Sequence, residues 1–375
     1  MSSKSIEYSW TDVTVSSVEA RADIPRDGAG AQFLAEIREQ PNAIARLLEH
    51  VDGFERVAAA IHERRATTIR MVGHGSSDNA ASYGVYAFGL LPRWTALRDS
   101  ISLTVYYDAQ LDMRGCTAVA LSQSGRTPDV VQYVERAKQR GAFTVALTND
   151  PASELATTAE AVLPLSAGPE LAVAATKTYV NQVAALGLLA AYAAGSGPRF
   201  ADDLRATVDL MAGLIPALEA RITNVAVPFS FAGRMFVIGR GAEFATAREI
   251  ALKLLETCRV AAEPLTATDL AHGPVAALDP LFPVWAIASD DETLPAVLEA
   301  VARAQEANAT VIASGSAAQS VTGAGYSLAV PRPPSSLLTP LLSVLPGQLF
   351  AWALAKAKGL DPDEPRGLSK VTLAR

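Results

Sequence analysis

The sequence predicts an α/β protein built from two similar domains, and three observations carry that prediction. Two apolar runs closed by Gly-x-Gly, Arg70–Gly75 and Phe236–Gly241, lie 166 residues apart. The same shift lays Val119–Leu121 over Trp285–Ile287, Thr144–Leu147 over Thr310–Ala313, and the amphipathic segment Pro128–Arg140 over Leu294–Glu306. Short β-branched runs alternate with helical periodicity, the pattern of a parallel sheet covered by helices on both faces.

Each repeat reads strand, Gly turn, helix, strand, turn, helix, strand. Ala31–Glu63 is helical in pattern (FLAEI, AIARLLEHV, RVAAAI) and is expected to wrap the first domain; Leu204–Ala220 does the same for the second. The turn-rich Gly195–Arg199 joins them. The expected organisation is an amino-terminal extension over 1–34, peripheral to about residue 28, a first domain over 35–195 and a second over 205–375.

Composition bounds the function. A chain of 375 residues, 50% hydrophobic and 19% charged, can bury a large core, and disorder is excluded for most of it. No apolar run approaches the roughly 20 residues of a membrane span; Val183–Ala194 is the nearest and is too short. A net charge of −7 with a pI near 5.3 argues against nucleic acid or anionic lipid as partner and favours a small ligand. Cys116 and Cys258 cannot form a disulfide framework, and MSSKSIEYSW is not a signal segment, so a cytoplasmic protein is expected.

The strand Ala118–Leu121 runs into Ser122-Gln123-Ser124-Gly125-Arg126-Thr127, and Pro128 opens a helix where its missing N–H does no harm. Small hydroxyls beside Gly at a helix N-terminus gather N–H and Oγ donors at one spot, which suits a phosphate. Ser76 and Ser77, after Gly75, add donors if their strand is a neighbour. Each hydroxyl alone could be an ordinary N-cap. The second repeat carries Ser289-Asp290-Asp291-Glu292-Thr293 at the matching place, and three carboxylates would repel phosphate, so the halves have diverged. Asp78 and Phe244 stand where a dinucleotide fingerprint needs its third glycine, which excludes an NAD site.

After Gly241, Ala247, Ile250, Ala251, Leu254, Leu255 and Cys258 recur at helical spacing, with Glu249, Lys253 and Glu256 on an adjoining stripe. Such a Glu/Lys pair is commonly a solvated helix pair. The following stretch Ala262–Pro274 is Pro/Gly-punctuated, lacks strand character, and holds His272 before Gly-Pro, as a site loop would.

These segments together closely resemble the sugar isomerase (SIS) domain family, in particular the isomerase half of glucosamine-6-phosphate synthase and the type II glucosamine-6-phosphate deaminases. The matching motifs are Gly73–Ser77 (GHGSS), Ser122–Thr127 (SQSGRT), Val173–Thr178 (VAATKT), Ala251–Glu256 (ALKLLE), Glu263–Pro274 and Pro365–Lys370 (PRGLSK). The resemblance implies two tandem SIS-type domains, each a parallel β-sheet flanked by helices in a flavodoxin-like three-layer sandwich. It implies that Ser77, Ser122, Gln123, Ser124 and Thr127 hold a sugar phosphate, with Gly75, Ser76, Ala174, Ala175 and Lys177 beside the sugar. It also implies that Glu256 moves the proton between C1 and C2, Lys253 steadies the enediolate oxygen, His272 opens the ring, and Lys370 meets the open-chain carbonyl. In family dimers the His-bearing loop reaches the neighbour's site, so a homodimer with shared sites is expected. Arg126 and Ala175 depart from the synthase pattern, and Gly168–Lys177 looks more like the deaminase type.

The synthase's glutaminase nucleophile is a cysteine after Met removal, whereas Ser2 stands here, so glutamine hydrolysis by that route is not expected. The expected activity is conversion of an aminosugar 6-phosphate, glucosamine 6-phosphate to fructose 6-phosphate and ammonia, with no cofactor or metal. The alternatives are another aldose/ketose phosphate isomerase, a fructosamine-phosphate deglycase, or a non-catalytic phosphosugar sensor.

Overall fold

A computed structural model describes residues 28–370; the reading of the amino-terminal segment as peripheral falls on residues 1–27, outside the described residues. The first half comprises α1 (Ala31–Leu48), α2 (Val51–Arg64), β1 (Thr68–Val72), α3 (Ser76–Leu90), β2 (Ala96–Arg98), α4 (Ile101–Val105), β3 (Cys116–Ser122), α5 (Pro128–Gln139), β4 (Phe143–Thr148), α6 (Glu154–Thr158), β5 (Ala161–Pro164) and α7 (Lys177–Ala193). The second comprises α8 (Gly197–Ala226), β6 (Arg234–Gly239), α9 (Glu243–Cys258), β7 (Ala261–Thr266), β8 (Val284–Ile287), α10 (Leu294–Glu306), β9 (Val311–Gly315), β10 (Tyr326–Ala329) and α11 (Thr339–Ala357).

Two parallel five-stranded sheets result, ordered β2-β1-β3-β4-β5 and β10-β9-β8-β6-β7, the same order once duplicated. The internal repeat therefore reaches every strand, beyond the stretch visible in sequence. Central β3 and β4 are buried at every position and read as continuous apolar runs, as strands covered on both faces must. Edge strands β2, β5, β7 and β10 are half-exposed, and all but β7 are short, so they lack that signal. β7 corrects the loop reading of Ala262–Leu265. It pairs only with β6, and Pro264 is tolerated there because an edge strand need not offer every N–H to a ladder.

Several expected boundaries shift. The helical stretch 31–63 is two helices parted at Glu49–His50, and α1 begins at Ala31, before residue 35. Ala194, Gly195 and Ser196 form the joint: Gly197–Arg199 is already the first turn of α8, with Pro198 in that turn, so residue 205 falls inside this helix. Leu255 is 53% exposed, so it leaves the apolar stripe of α9.

One apolar core runs through both halves, because α7 and α11 are buried almost all round between the sheets. α3 packs on α7 and α9, and α11 on α8 and α9. Two helical stretches have the length and mean hydropathy of a span, Gly197–Phe229 and Ser336–Ala357; the latter is 94% buried inside the fold.

Candidate active site

In the first sheet the chain leaves β1 toward β2 on one side and β3 toward β4 on the other, so a crevice opens beyond the carboxyl ends of these two adjacent strands. Close approach there requires glycine. A Cβ on Gly73 would lie 2.8 Å from the Ser77 Cβ and 3.0 Å from the Leu121 carbonyl oxygen. Gly125, at φ +62°, would place one 2.0 Å from the Ser153 Oγ. The turns after β1 and β3 thereby meet at one cavity of about 580 Å³.

Gly75, Ser76, Ser77, Ser122, Gln123, Ser124 and Thr127 all line this cavity, as do Ala175, Glu256 and Lys370. The hydroxyls are held in place rather than loose. Ser77 Oγ accepts from Gln182 Nε2 at 2.9 Å, and Ser122 Oγ accepts from the Gly125 N–H at 3.1 Å and lies 3.2 Å from Thr127 Oγ1. Thr127 caps α5 without a side-chain cap bond, leaving its hydroxyl for the crevice, and Pro128 occupies the first turn.

α9 brings the acid/base groups from the second half. Glu256, 22% exposed, lies 2.5 Å from Lys253 Nζ, one turn earlier on the helix. Lys253 is fully buried and does not line the cavity; it stands behind Glu256, 3.5 Å from Glu249 and 3.3 Å from Ser76 Oγ. Burial opposes its charge, but Glu256 and Glu249 outweigh that and raise its pKa. Glu249 accepts from Ser76 Oγ and Asn79 Nδ2, each at 2.9 Å, and burial pushes its carboxyl up to about 7 against the pull of Lys253.

Glu170 is a cavity residue that motif reading passed over. It accepts from the Thr176 and Thr178 N–H groups at 3.0 Å, from Thr178 Oγ1 at 2.7 Å and from Lys370 Nζ at 2.9 Å. Burial opposes its charge, but Lys370 and these donors hold its pKa below the ordinary value. Lys370 also donates to the Ala172 carbonyl at 2.8 Å, which fixes the carboxyl-terminal segment over the cavity. The only advance signal was an acidic residue between Gly168 and Lys177 in an otherwise small-residue stretch. His74 and Asp129 line the same cavity, 2.9 Å apart, and were likewise not singled out.

Two expected sugar contacts are not brought to the cavity. Lys177 is buried and turns away, pairing with Glu39 at 2.7 Å and donating to the Pro169 carbonyl, because an ammonium in the core must find such partners. Ala174 is buried in the apolar core. His272 sits on an exposed 3₁₀ turn, Asp269–His272, and does not line this chain's cavity.

At the matching place in the second half the chemistry differs. Glu243, 166 residues after Ser77, is buried there, accepting from Ser289 Oγ, Ser343 Oγ and Thr246 Oγ1 at 2.6, 2.8 and 2.6 Å. The duplicated anion position is thus filled by the chain's own carboxyl group. Asp291 is turned onto Thr293 and Asp290 pairs with Arg332.

Duplicated parallel sheets and a hydroxyl-lined crevice accompany a family match over most of the chain: the SIS domain pattern covers residues 64–192 and again 229–357. The chain belongs to the SIS domain family. It is homologous to the isomerase half of glutamine–fructose-6-phosphate aminotransferase, being 33% identical over 346 residues to the Pyrococcus horikoshii enzyme of that name, covering 90% of this chain and 57% of the enzyme. The chain thus spans less than two thirds of the curated relatives it matches. A Silicibacter pomeroyi protein assigned as a phosphosugar isomerase is 32% identical at a TM-score of 0.77, covering 88% of this chain and 99% of that one. The carboxyl-terminal domain of the glucosamine-fructose-6-phosphate aminotransferase of Francisella tularensis is 25% identical at a TM-score of 0.81, covering 91% and 99%.

Proposed function

We propose that this chain is a phosphosugar isomerase/deaminase that converts an aminosugar 6-phosphate, glucosamine 6-phosphate, to fructose 6-phosphate and ammonia. The observation that carries the reading is the meeting of the hydroxyl-lined crevice with Glu256 and Lys370 in one cavity. Relatives named for amino transfer to fructose 6-phosphate support the choice of sugar.

The phosphate is held by Ser77, Ser122, Gln123, Ser124 and Thr127 with the amides of their turns. Lys370 meets the open-chain carbonyl. Glu256 takes the proton from C2 and returns it to C1. O1 gains a proton as the C2 amine loses one, so C1 becomes a hydroxymethyl carbon and C2 an imine, which water hydrolyses to the ketone and ammonia. A carboxylate beside the reacting carbon with a cation behind it is the demand of such a proton shift. Lys253 is a positioning residue in this scheme, acting through Glu256. His272 serves the cavity of a second copy of the chain, which makes a cytoplasmic homodimer with shared sites part of the proposal.

A coupled assay for ammonia and fructose 6-phosphate over a panel of aminosugar and ketose phosphates tests it. Both products from glucosamine 6-phosphate uphold the reading. Aldose–ketose conversion without ammonia assigns a plain isomerase instead, and tight binding with no turnover assigns a sensor.

A further inference from the structure

We infer that His74, held by Asp129, is a second imidazole of the reaction, the base that opens the sugar ring from within the same chain; this inference rests on the function proposed above. His74 stands between Gly73 and Gly75 just after β1, two residues before Ser76, whose Oγ donates to Glu249 of the acid/base helix. Asp129 stands in the first turn of α5, beside the hydroxyl-lined turn. Their side chains meet across the cavity wall, Nε2 to Oδ2 at 2.9 Å, with Asp129 only 11% exposed and His74 56% exposed. His74 therefore joins the two working sides of the site.

The arrangement selects a chemistry. Asp129 accepts the Nε2 proton and fixes the tautomer, so the lone pair sits on Nδ1. Nδ1 has no hydrogen-bond partner among the described residues, and the ring lines the cavity. A carboxylate-oriented imidazole with its second nitrogen open to a cavity is a general base.

Hexose phosphates are cyclic, whereas the proton shift at Glu256 needs the open chain. Opening moves two protons. Nδ1 of His74 takes the proton of the C1 hydroxyl, the C1–O5 bond breaks with its electron pair going to O5, and C1=O forms. O5 receives a proton from the His272 imidazolium of the second copy. His74 is left protonated and His272 neutral, and exchange with solvent restores both.

Ring opening can be isolated in the Glu256→Gln protein, where the later proton shift is blocked. Exchange between the α and β anomers of glucosamine 6-phosphate, followed by NMR, then reports opening alone. Adding His74→Gln is expected to slow enzyme-dependent exchange by about 100-fold, the usual worth of a positioned base, and Asp129→Asn by about 10-fold. The His74→Gln, Asp129→Asn pair is expected to be no slower than His74→Gln, since groups acting as a unit are not additive. Binding of 2-amino-2-deoxyglucitol 6-phosphate, which has no ring, is expected to stay within about threefold. Exchange within threefold of the parent, or a parallel loss of hexitol phosphate binding, overturns the inference while leaving the proposed function intact if His74→Gln alone still releases ammonia. A wild-type protein that neither exchanges anomers nor releases ammonia overturns both.

Discussion

Replacing Lys253 with Met should separate what the buried ammonium does for the fold from what it does for chemistry. Its Nζ lies 2.5 Å from Glu256 and 3.5 Å from Glu249, in a position with no solvent contact. At an effective dielectric near 20, these separations correspond to attractions of roughly 7 and 5 kcal/mol, before several kcal/mol of desolvation per ion is subtracted. Methionine fills the space of the alkyl stem, so the loss is electrostatic. It leaves Glu249 and Glu256 facing each other with no cation, an arrangement that costs about 3–5 kcal/mol. Urea unfolding followed by circular dichroism should show that loss for Lys253→Met. Well above pH 7, where Glu249 has given up its proton, adding Glu249→Gln removes one uncompensated charge and should restore about half of it, while turnover stays at least about tenfold down because Glu256 has lost its cation. A Lys253→Met protein within about 1 kcal/mol of wild type, or a pair of substitutions no more stable than the single one, would mean that Lys253 does not compensate these two carboxylates.

The remaining expectations are these. Ser124→Ala with Thr127→Ala should raise KM about 100–10,000-fold with little change in kcat, since each removes a hydrogen bond to a charged group worth roughly 1.5–3 kcal/mol; an unchanged KM excludes the turn as the phosphate site. Glu249 holds its proton up to about pH 7, whereas an ordinary glutamate ionises near 4.5. That preference stabilises the fold fully below the lower value and is lost as pH rises through 7, on the order of 3 kcal/mol. Glu249→Gln should therefore lose less stability than wild type between pH 4.5 and 7.5 in thermal melts, and identical pH profiles would contradict the assignment. Lys177→Met should lower stability and leave kcat/KM within about twofold, because that lysine pairs with Glu39 away from the cavity. Mixed and refolded Glu256→Gln and His272→Gln chains should recover roughly a quarter of wild-type activity if sites are shared in a dimer; no recovery excludes sharing.

Much of this was legible in the sequence because duplication repeats whatever burial imposes. Central strands, the Gly-x-Gly turns and α5/α10 recur at one offset, since each must satisfy the same two-faced packing. Edge strand β7 was not, for it carries polar Glu263 and Pro264 and lacks an apolar run. The crevice residues were legible as motif members, yet motif membership does not give direction. Lys177 belongs to the same motif as cavity-lining Ala175 and still turns into the core toward Glu39, a contact between residues 138 apart in sequence. Glu170 and Asp129 were illegible for the same reason: their partners Lys370 and His74 meet them only through the tertiary fold. Glu243 shows the converse, an apparently ordinary acidic first turn that fills the second half's anion position.

In the proposed reaction the β1 and β3 turns grip a phosphate while the carboxylate of α9 moves a proton between the carbonyl carbon and the carbon bonded to it. Transfer of deuterium from D2O into fructose 6-phosphate, measured by NMR for wild type and Glu256→Gln beside calorimetric binding of the same sugar, tests it most directly. Label is expected at C1 with wild type, at least about a thousandfold less with the variant, and binding by both within about threefold. Equal labelling by the two proteins would contradict it.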